Sequence, residues 1–262
     1  MRSPQKESGW NVQQYEKFKN ERTQPFFDLL ELIEPKPNMR ILDLGCGTGE
    51  LTKIAHEKFA ARETIGVDSS ETMLEKSKEF ANNSLHFMQD DISGLDIEGP
   101  FDLILSNAAF QWVDDHEFLL TKFTGLLAPE GQIAIQMSAN YDQPSHRLAL
   151  SMAEKSPFNE ELQGYRIPQP VQAPEYYSKM LYKLGFVRQN VFLKAYPYQL
   201  TSRDEAVEWV KGTWLTVYKE KLSEASYARL LEEYKAGIKK ILPDEKPLFY
   251  PFKRSFIWGS RI

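Results

Sequence analysis

A short apolar run, Met39-Arg40-Ile41-Leu42-Asp43-Leu44, closes on Gly45-Cys46-Gly47-Thr48-Gly49, and helix-like periodicity resumes at Leu51. Glycines in such a turn permit positive φ and let backbone N–H groups approach a ligand with no Cβ in the way. A strand, a glycine-rich turn and a helix start in this order open a nucleotide-type α/β unit. The spacing is G-x-G-x-G, with Glu50 standing where a dinucleotide fingerprint needs its third glycine. Glu50 thus disfavours a nicotinamide-dependent dehydrogenase, and a Walker loop is absent because no Gly-Lys-Ser/Thr follows.

The next run, Thr64-Ile65-Gly66-Val67-Asp68, ends in a second acid, 25 residues beyond Asp43. A carboxylate there can accept both ribose hydroxyls of a nucleoside. Ser69 or Ser70 can cap the helix that follows. Strand-like runs recur at Leu85–Met88, Phe101–Leu105 and Gln132–Met137, with a helix at Glu117–Leu127, and an amphipathic helix over Gln13–Leu32 precedes them all. Strands alternating with helices imply a parallel sheet with right-handed crossovers. The alternation stops after residue 138. Residues 141–171 are rich in Pro, Gln, Ser and Tyr, a helix at Pro174–Leu184 precedes a strand at Phe186–Leu193, residues 202–241 read as helices, and a last strand runs through Ser255–Trp258. The expected fold is α/β: one Rossmann-like domain carrying a mostly helical cap from the later insertions.

Composition narrows the setting. The net charge of −5 disfavours nucleic-acid binding by bulk charge. Residues 1–150 hold 14 Lys and Arg against 24 Asp and Glu, whereas residues 151–262 hold 18 against 13. The acidic part suits a neutral or cationic cofactor and the basic part an anionic substrate, although Lys219, Lys221, Lys239 and Lys240 also fit solvated helix faces. One cysteine rules out an internal disulfide, and four scattered histidines give little support to a zinc cluster. No membrane-spanning run or secretory signal is evident, so a cytoplasmic location is expected.

The glycine loop with its two acids resembles the class I S-adenosylmethionine-dependent methyltransferases. Further stretches are similar to the trans-aconitate 2-methyltransferase family across nearly the whole chain: Trp10-Asn11 with Tyr15, Glu21, Arg22 and Pro25; Phe87 through Ile92; Asn107-Ala108-Ala109-Phe110-Gln111-Trp112 with Asp115-His116; Gln136-Met137 with Asn140, Pro144 and His146; Trp209-Val210 with Tyr250-Pro251. The resemblance implies a seven-stranded sheet of order 3-2-1-4-5-7-6 with the last strand antiparallel. It also implies that residues 1–140 form the cofactor-binding core with an N-terminal lid helix. Residues 141–171 and 200–250 would then form a substrate cap, interleaved with core segments 172–199 and 251–262.

Residue roles follow from the same resemblance. Asp43 belongs to the cofactor loop; Gly45, Cys46 and Gly47 would face the methionyl part of S-adenosylmethionine; and Asp68 and Ser69 would lie at the ribose. Met73 would pack near the adenine, whose amino group would meet Asp91 beside Ile92. Asn107 would lie near the methionyl amine. Tyr15 and Arg22 would close over the cofactor, Arg22 able to pair its carboxylate. Cys46 has no base beside it in the sequence and is not expected to be a nucleophile.

For the acceptor, a carboxylate with an unperturbed pKa of ~4 is already ionised at neutral pH, so no general base and no metal are needed. Donors that grip a polyanion are needed instead. Trp112, His146 and Arg254 are the candidates, with Gln111, His116, Arg147 and Arg166 behind them. Trp209 and Trp214, five residues apart, share a helical face poorly; Trp209 is assigned to cap packing and Trp214 to a pocket role. The leading expectation is carboxyl O-methylation of a small anionic acid. Its rivals are a malonyl-carrier-protein methyltransferase, which would need a carrier protein as partner, and a non-catalytic S-adenosylmethionine-binding protein. No nucleic-acid or membrane partner is expected.

Overall fold

The computed structural model describes residues 19–261, with Lys19 to Arg22 described by their backbone alone. Its elements, in chain order, are α1 (Lys19–Leu30), β1 (Arg40–Leu44), α2 (Glu50–Lys58), β2 (Glu63–Asp68), α3 (Glu71–Ser77), β3 (Leu85–Gln89), β4 (Phe101–Asn107), α4 (His116–Thr124) and β5 (Leu127–Ser138). Then come α5 (Pro144–Ala153), α6 (Phe158–Glu161), α7 (Pro174–Lys183), β6 (Arg188–Leu200), α8 (Arg203–Lys211), α9 (Trp214–Lys219), α10 (Glu224–Ile241) and β7 (Leu248–Ser260). The strands form one sheet of order β3-β2-β1-β4-β5-β7-β6. The first five run parallel, and β7 is antiparallel to both of its neighbours. This is the expected Rossmann-like methyltransferase sheet.

Helices cover both faces, which is why the inner strands read as apolar runs instead of alternating. On one face Phe26, Leu29 and Leu30 of α1, with Ile33 just beyond it, pack on Leu103, Leu105, Ala134 and Phe256. On the other, Leu119, Leu120 and Phe123 of α4 and Tyr177 and Leu181 of α7 cover Leu42, Leu44, Ile104, Ile133 and Ile135. A third buried cluster lies apart from these. It joins α5 and α8 to α10 with Leu200, Leu248, Tyr250 and Phe252 around the large side chains Trp209, Tyr218 and Tyr234.

The structure departs from the sequence reading where β6 and β7 run on. Expected at Phe186–Leu193 and Ser255–Trp258, both strands are 13 residues long and pair over their entire lengths. Prolines usually end a strand, yet Pro197 and Pro251 face each other in this ladder. Facing prolines, each without an N–H, are tolerated at a non-hydrogen-bonded pair. Only Arg254 to Ser260 also pair with β5, so Leu248 to Lys253 extend beyond it into the third cluster. The stretch after residue 141 likewise holds a ten-residue helix, α5, with Pro144 in its first turn, a position that proline favours.

Candidate active site

The loops above the carboxyl ends of β1, β2 and β4 open into a cavity of about 380 Å³, within the range of small-molecule sites. Its lower wall is the glycine loop. The N–H groups of Gly45 and Cys46 donate to Val67 O at 2.8 and 3.0 Å, which ties the loop to β2. Gly45 (φ +81°) approaches Ala109 so closely that a Cβ would stand 2.2 Å from the Ala109 Cβ. Gly47 (φ +56°) differs: nothing lies within 4 Å of its missing Cβ. That open space belongs to the cavity.

The acids are held with care. Thr52 Oγ1 donates to Asp43 Oδ2 at 2.6 Å. Asp68 accepts the Gly47 N–H on Oδ2 and the Ser70 N–H on Oδ1, both at 2.8 Å. Each carboxylate oxygen has a second lone pair, so this fixed carboxylate can still accept from a ligand. Burial pushes the Asp43 carboxyl up to about 7; its bond from Thr52 pulls the other way and the nearby Asp68 charge adds to the rise. Burial also raises Asp68, against the two backbone N–H donors. Two carboxylates that burial holds back from ionising favour a cationic occupant. Cys46 is buried beside them, and burial with both acidic charges raises its thiol far above the ordinary range; it is no nucleophile.

Ser69, Met73, Asp91, Ile92 and Asn107 complete this end of the cavity. Ser70 caps α3 by accepting the Met73 N–H at 3.3 Å, which fixes where Met73 starts its helix. Asp91 sits at the exposed rim with Oδ1 accepting the Ser93 N–H. Asn107 closes β4, and its Oδ1 is buried with no hydrogen-bond partner among the described residues. A buried acceptor left empty is costly and marks a place for a ligand donor.

The opposite end is built from the cap. Trp112, on a one-turn helix after β4, stands 38% exposed at the rim. Gln111 beside it donates to Ala108 O at 2.6 Å and accepts from Ser138 N at 3.4 Å, which bridges the ends of β4 and β5. Arg254 occupies the last β7 position paired with β5, opposite Ser138. It is almost wholly buried, with its guanidinium 4.7 Å above the Phe252 ring. Asn140 fixes the adjoining backbone, accepting from Lys253 N at 2.7 Å and donating to Lys253 O at 2.9 Å. His146, buried on α5, meets the Trp214 ring edge-on at 4.6 Å. Burial lowers its pKa to about 3, the Arg254 charge pushing the same way and Asp142 opposing. The imidazole is neutral at any physiological pH.

All thirteen candidates whose side chains are described thus line one cavity. Tyr15 lies outside the described residues, as does the side chain of Arg22. The secondary candidates divide. Gln111 lines the cavity, but His116 is buried elsewhere, bonded through Nδ1 to Tyr177 OH at 2.7 Å and through Nε2 to Phe110 O at 2.8 Å. Arg147 is exposed, and Arg166 pairs with Glu154 at the surface. Lys219, Lys239 and Lys240 are solvated helix residues, and Lys221 is exposed in the turn after α9 with its ammonium 4.1 Å from the centre of the Tyr165 ring.

Comparison with known proteins decides the family. A family described as "Methyltransferase domain" matches residues 35–185. The chain is 38% identical over 258 residues to trans-aconitate 2-methyltransferase of Deinococcus radiodurans, covering 96% of this chain and 98% of that one. It is 37% identical over 256 residues to the enzyme of the same name from Azoarcus sp., covering 96% and 99%. The chain belongs to the class I S-adenosylmethionine-dependent methyltransferases. Solved structures agree in fold: the YcgJ protein of Bacillus subtilis superposes with a TM-score of 0.60 at 15% identity, covering 91% of this chain and 98% of that one. A Haemonchus contortus phosphoethanolamine N-methyltransferase holding S-adenosylhomocysteine superposes with a TM-score of 0.54 at 19% identity, covering 91% and 52%.

In this methyltransferase the acids of the glycine loop, the empty Asn107 acceptor and the open space over Gly47 fit a cofactor bearing a sulfonium and an ammonium. Sequence reasoning missed Thr213 and Phe252 in the cap wall and gave Trp209 to packing alone. Trp209, Thr213, Trp214 and Phe252 all line the cavity. Trp209 packs on Phe252 at 5.3 Å and also reaches it, while Trp214 belongs to a different helix. Gly212, just past the end of α8, was the available signal that one helical wheel does not cover both tryptophans.

Proposed function

We propose that this methyltransferase esterifies a carboxylate of a small anionic acid of trans-aconitate type. One observation carries the reading: the cavity is divided electrostatically, with carboxylates at the glycine-loop end and a buried arginine beside a neutral histidine at the cap end. The names of the full-length relatives point the same way. S-adenosylmethionine, when bound, supplies an electrophilic methyl group on a positively charged sulfur.

In this reading Asp68 accepts the ribose hydroxyls with Ser69 beside it, Met73 and Ile92 flank the adenine, and Asp91 meets the adenine amino group from the rim. Asn107 and Asp43 face the ammonium side of the methionyl part, and Gly45, Cys46 and Gly47 leave room for it. Arg254 grips the acid, His146 donates to it, and Trp112 screens the reacting oxygen from water. The acceptor arrives ionised, so no residue has to remove a proton. Holding oxygen, carbon and sulfur in line supplies up to ~7–11 kcal/mol of the barrier reduction. Stripping the carboxylate of water sharpens it further.

The test is incubation of the full chain with isotopically labelled cofactor and a panel of free di- and tricarboxylic acids, phenols, amines and malonyl carrier protein. A methyl ester of a free acid is the expected product, identified by its mass and its lability to base. Exclusive methylation of the carrier-bound acid, or cofactor binding with no transfer at all, would overturn the reading.

A further inference from the structure

The hydroxyls behind His146 decide what its ring can do, given the acceptor reading above. Ser145 Oγ lies 2.5 Å from Tyr250 OH and 3.3 Å from His146 Nδ1, and all three residues are buried. Each hydroxyl owns one proton, and a buried O–H without an acceptor is costly. Ser145 Oγ is the hydrogen-bond partner of Tyr250 OH among the described residues, so the phenol donates to it. The serine proton then has one remaining acceptor, His146 Nδ1. Tyr234 OH donates to the Ser145 backbone carbonyl at 3.2 Å, which holds this turn of α5 in place. A ring that accepts at Nδ1 while neutral carries its proton on Nε2.

We propose that Tyr250 and Ser145 are positioning residues that lock His146 in its Nε2–H tautomer, so that the ring offers the acceptor a hydrogen-bond donor and no base. A ring so locked grips an oxygen that is already anionic and gives no help to a phenol, alcohol or ammonium acceptor that must first lose a proton. The relay therefore selects for carboxylates by chemistry as well as by shape. Burial supports it from a second side, since the imidazole, held at about 3, does not gain a second proton near neutrality.

The experiment uses the full chain labelled with ¹⁵N at histidine, with the His146 signals assigned by their loss in His146→Gln. Two-bond ¹H–¹⁵N spectra are expected to show the Nε2–H tautomer for His146, unchanged from pH 5.5 to 8. In Ser145→Ala the tautomers mix and KM for the acid rises about threefold to tenfold, the scale of one lost neutral hydrogen bond, with kcat and cofactor affinity close to wild type. Ser145→Thr restores both the spectrum and KM. An Nδ1–H signal in the wild-type protein overturns the proposal, and so does a Ser145→Ala protein with unaltered tautomer and KM. The wild-type spectrum decides even if Ser145→Ala fails to fold. A chain that shows the Nε2–H tautomer yet methylates no acid upholds the lock and removes the carboxylate reading instead.

Discussion

The two ends of the cavity are made in opposite ways. The glycine-loop end is assembled from short consecutive segments at the tips of three parallel strands, and its carboxylates are restrained by backbone N–H groups at Asp68 and by the Thr52 hydroxyl at Asp43. The cap end gathers residues 112, 146, 209–214 and 252–254 from separate elements, and it is aromatic, with one buried guanidinium and a neutral imidazole. Local chain geometry places the first set. The second depends on tertiary packing. On the proposed function, the first set holds the cofactor and the second the acceptor, and substitutions ought to respect that border.

The largest expected effect is on the fold itself. Gly45→Ala combines a left-handed backbone with a Cβ in collision with Ala109 and is expected to lower stability by roughly 2–4 kcal/mol, read by chemical denaturation. Gly47→Ala meets no neighbour, so its melting temperature should fall far less while cofactor affinity drops, because the methyl group enters the cavity. Equal destabilisation of the two variants would erase the distinction between a packed and a ligand-facing glycine.

A matched pair tests the border between the two ends. Asp68→Ala is expected to weaken cofactor binding by roughly 1.5–3 kcal/mol in calorimetry, the scale of charge-assisted hydrogen bonds. Arg254→Ala should instead lower kcat/KM for the acid about tenfold to a hundredfold and leave cofactor affinity nearly intact. Loss of cofactor binding in both would show that the arginine serves the wrong end.

The pH dependence of cofactor binding comes next. Asp43 titrates near 7 in the folded protein and near its ordinary value of 3.8 unfolded. The folded state therefore holds the extra proton, and the stability of the free protein declines through this group as pH rises from about 4 to 7, then levels off. A cationic cofactor prefers the ionised form, so its affinity should climb about fivefold between pH 6 and pH 7 and level off above about pH 8. Asp43→Asn should abolish that slope. The smallest effect is that of His146→Ala, a threefold to tenfold rise in KM for the acid at unchanged cofactor affinity.

How much of this was legible in the sequence follows the same border. Asp43, Gly45 and Gly47 announce themselves because a tight turn between strand and helix demands those residue types within a few positions, and Asp68 because it ends the next strand. The strand order could be written down from the family resemblance to that loop, and the structure bears it out. Arg254 and His146 were found through stretches resembling a family, without any local rule that aims them at a cavity. Phe252 escaped, because nothing within its own segment says that a strand continues through Pro251. His116 failed as an acceptor ligand for a related reason: its partners, Tyr177 and the Phe110 carbonyl, come together only in the folded chain.

The continuous β6–β7 ribbon has a mechanical meaning. Lobes joined by a single flexible linker can swing apart, whereas here two fully bonded strands cross from sheet to cap side by side, and Arg254 sits at the crossing. The guanidinium is thus anchored to the same rigid frame as the glycine loop. With the acid held by Arg254 as proposed, its distance from the methyl donor is set mainly by the sheet, and an evolving enzyme can exchange cap helices to suit a new acid without losing its aim.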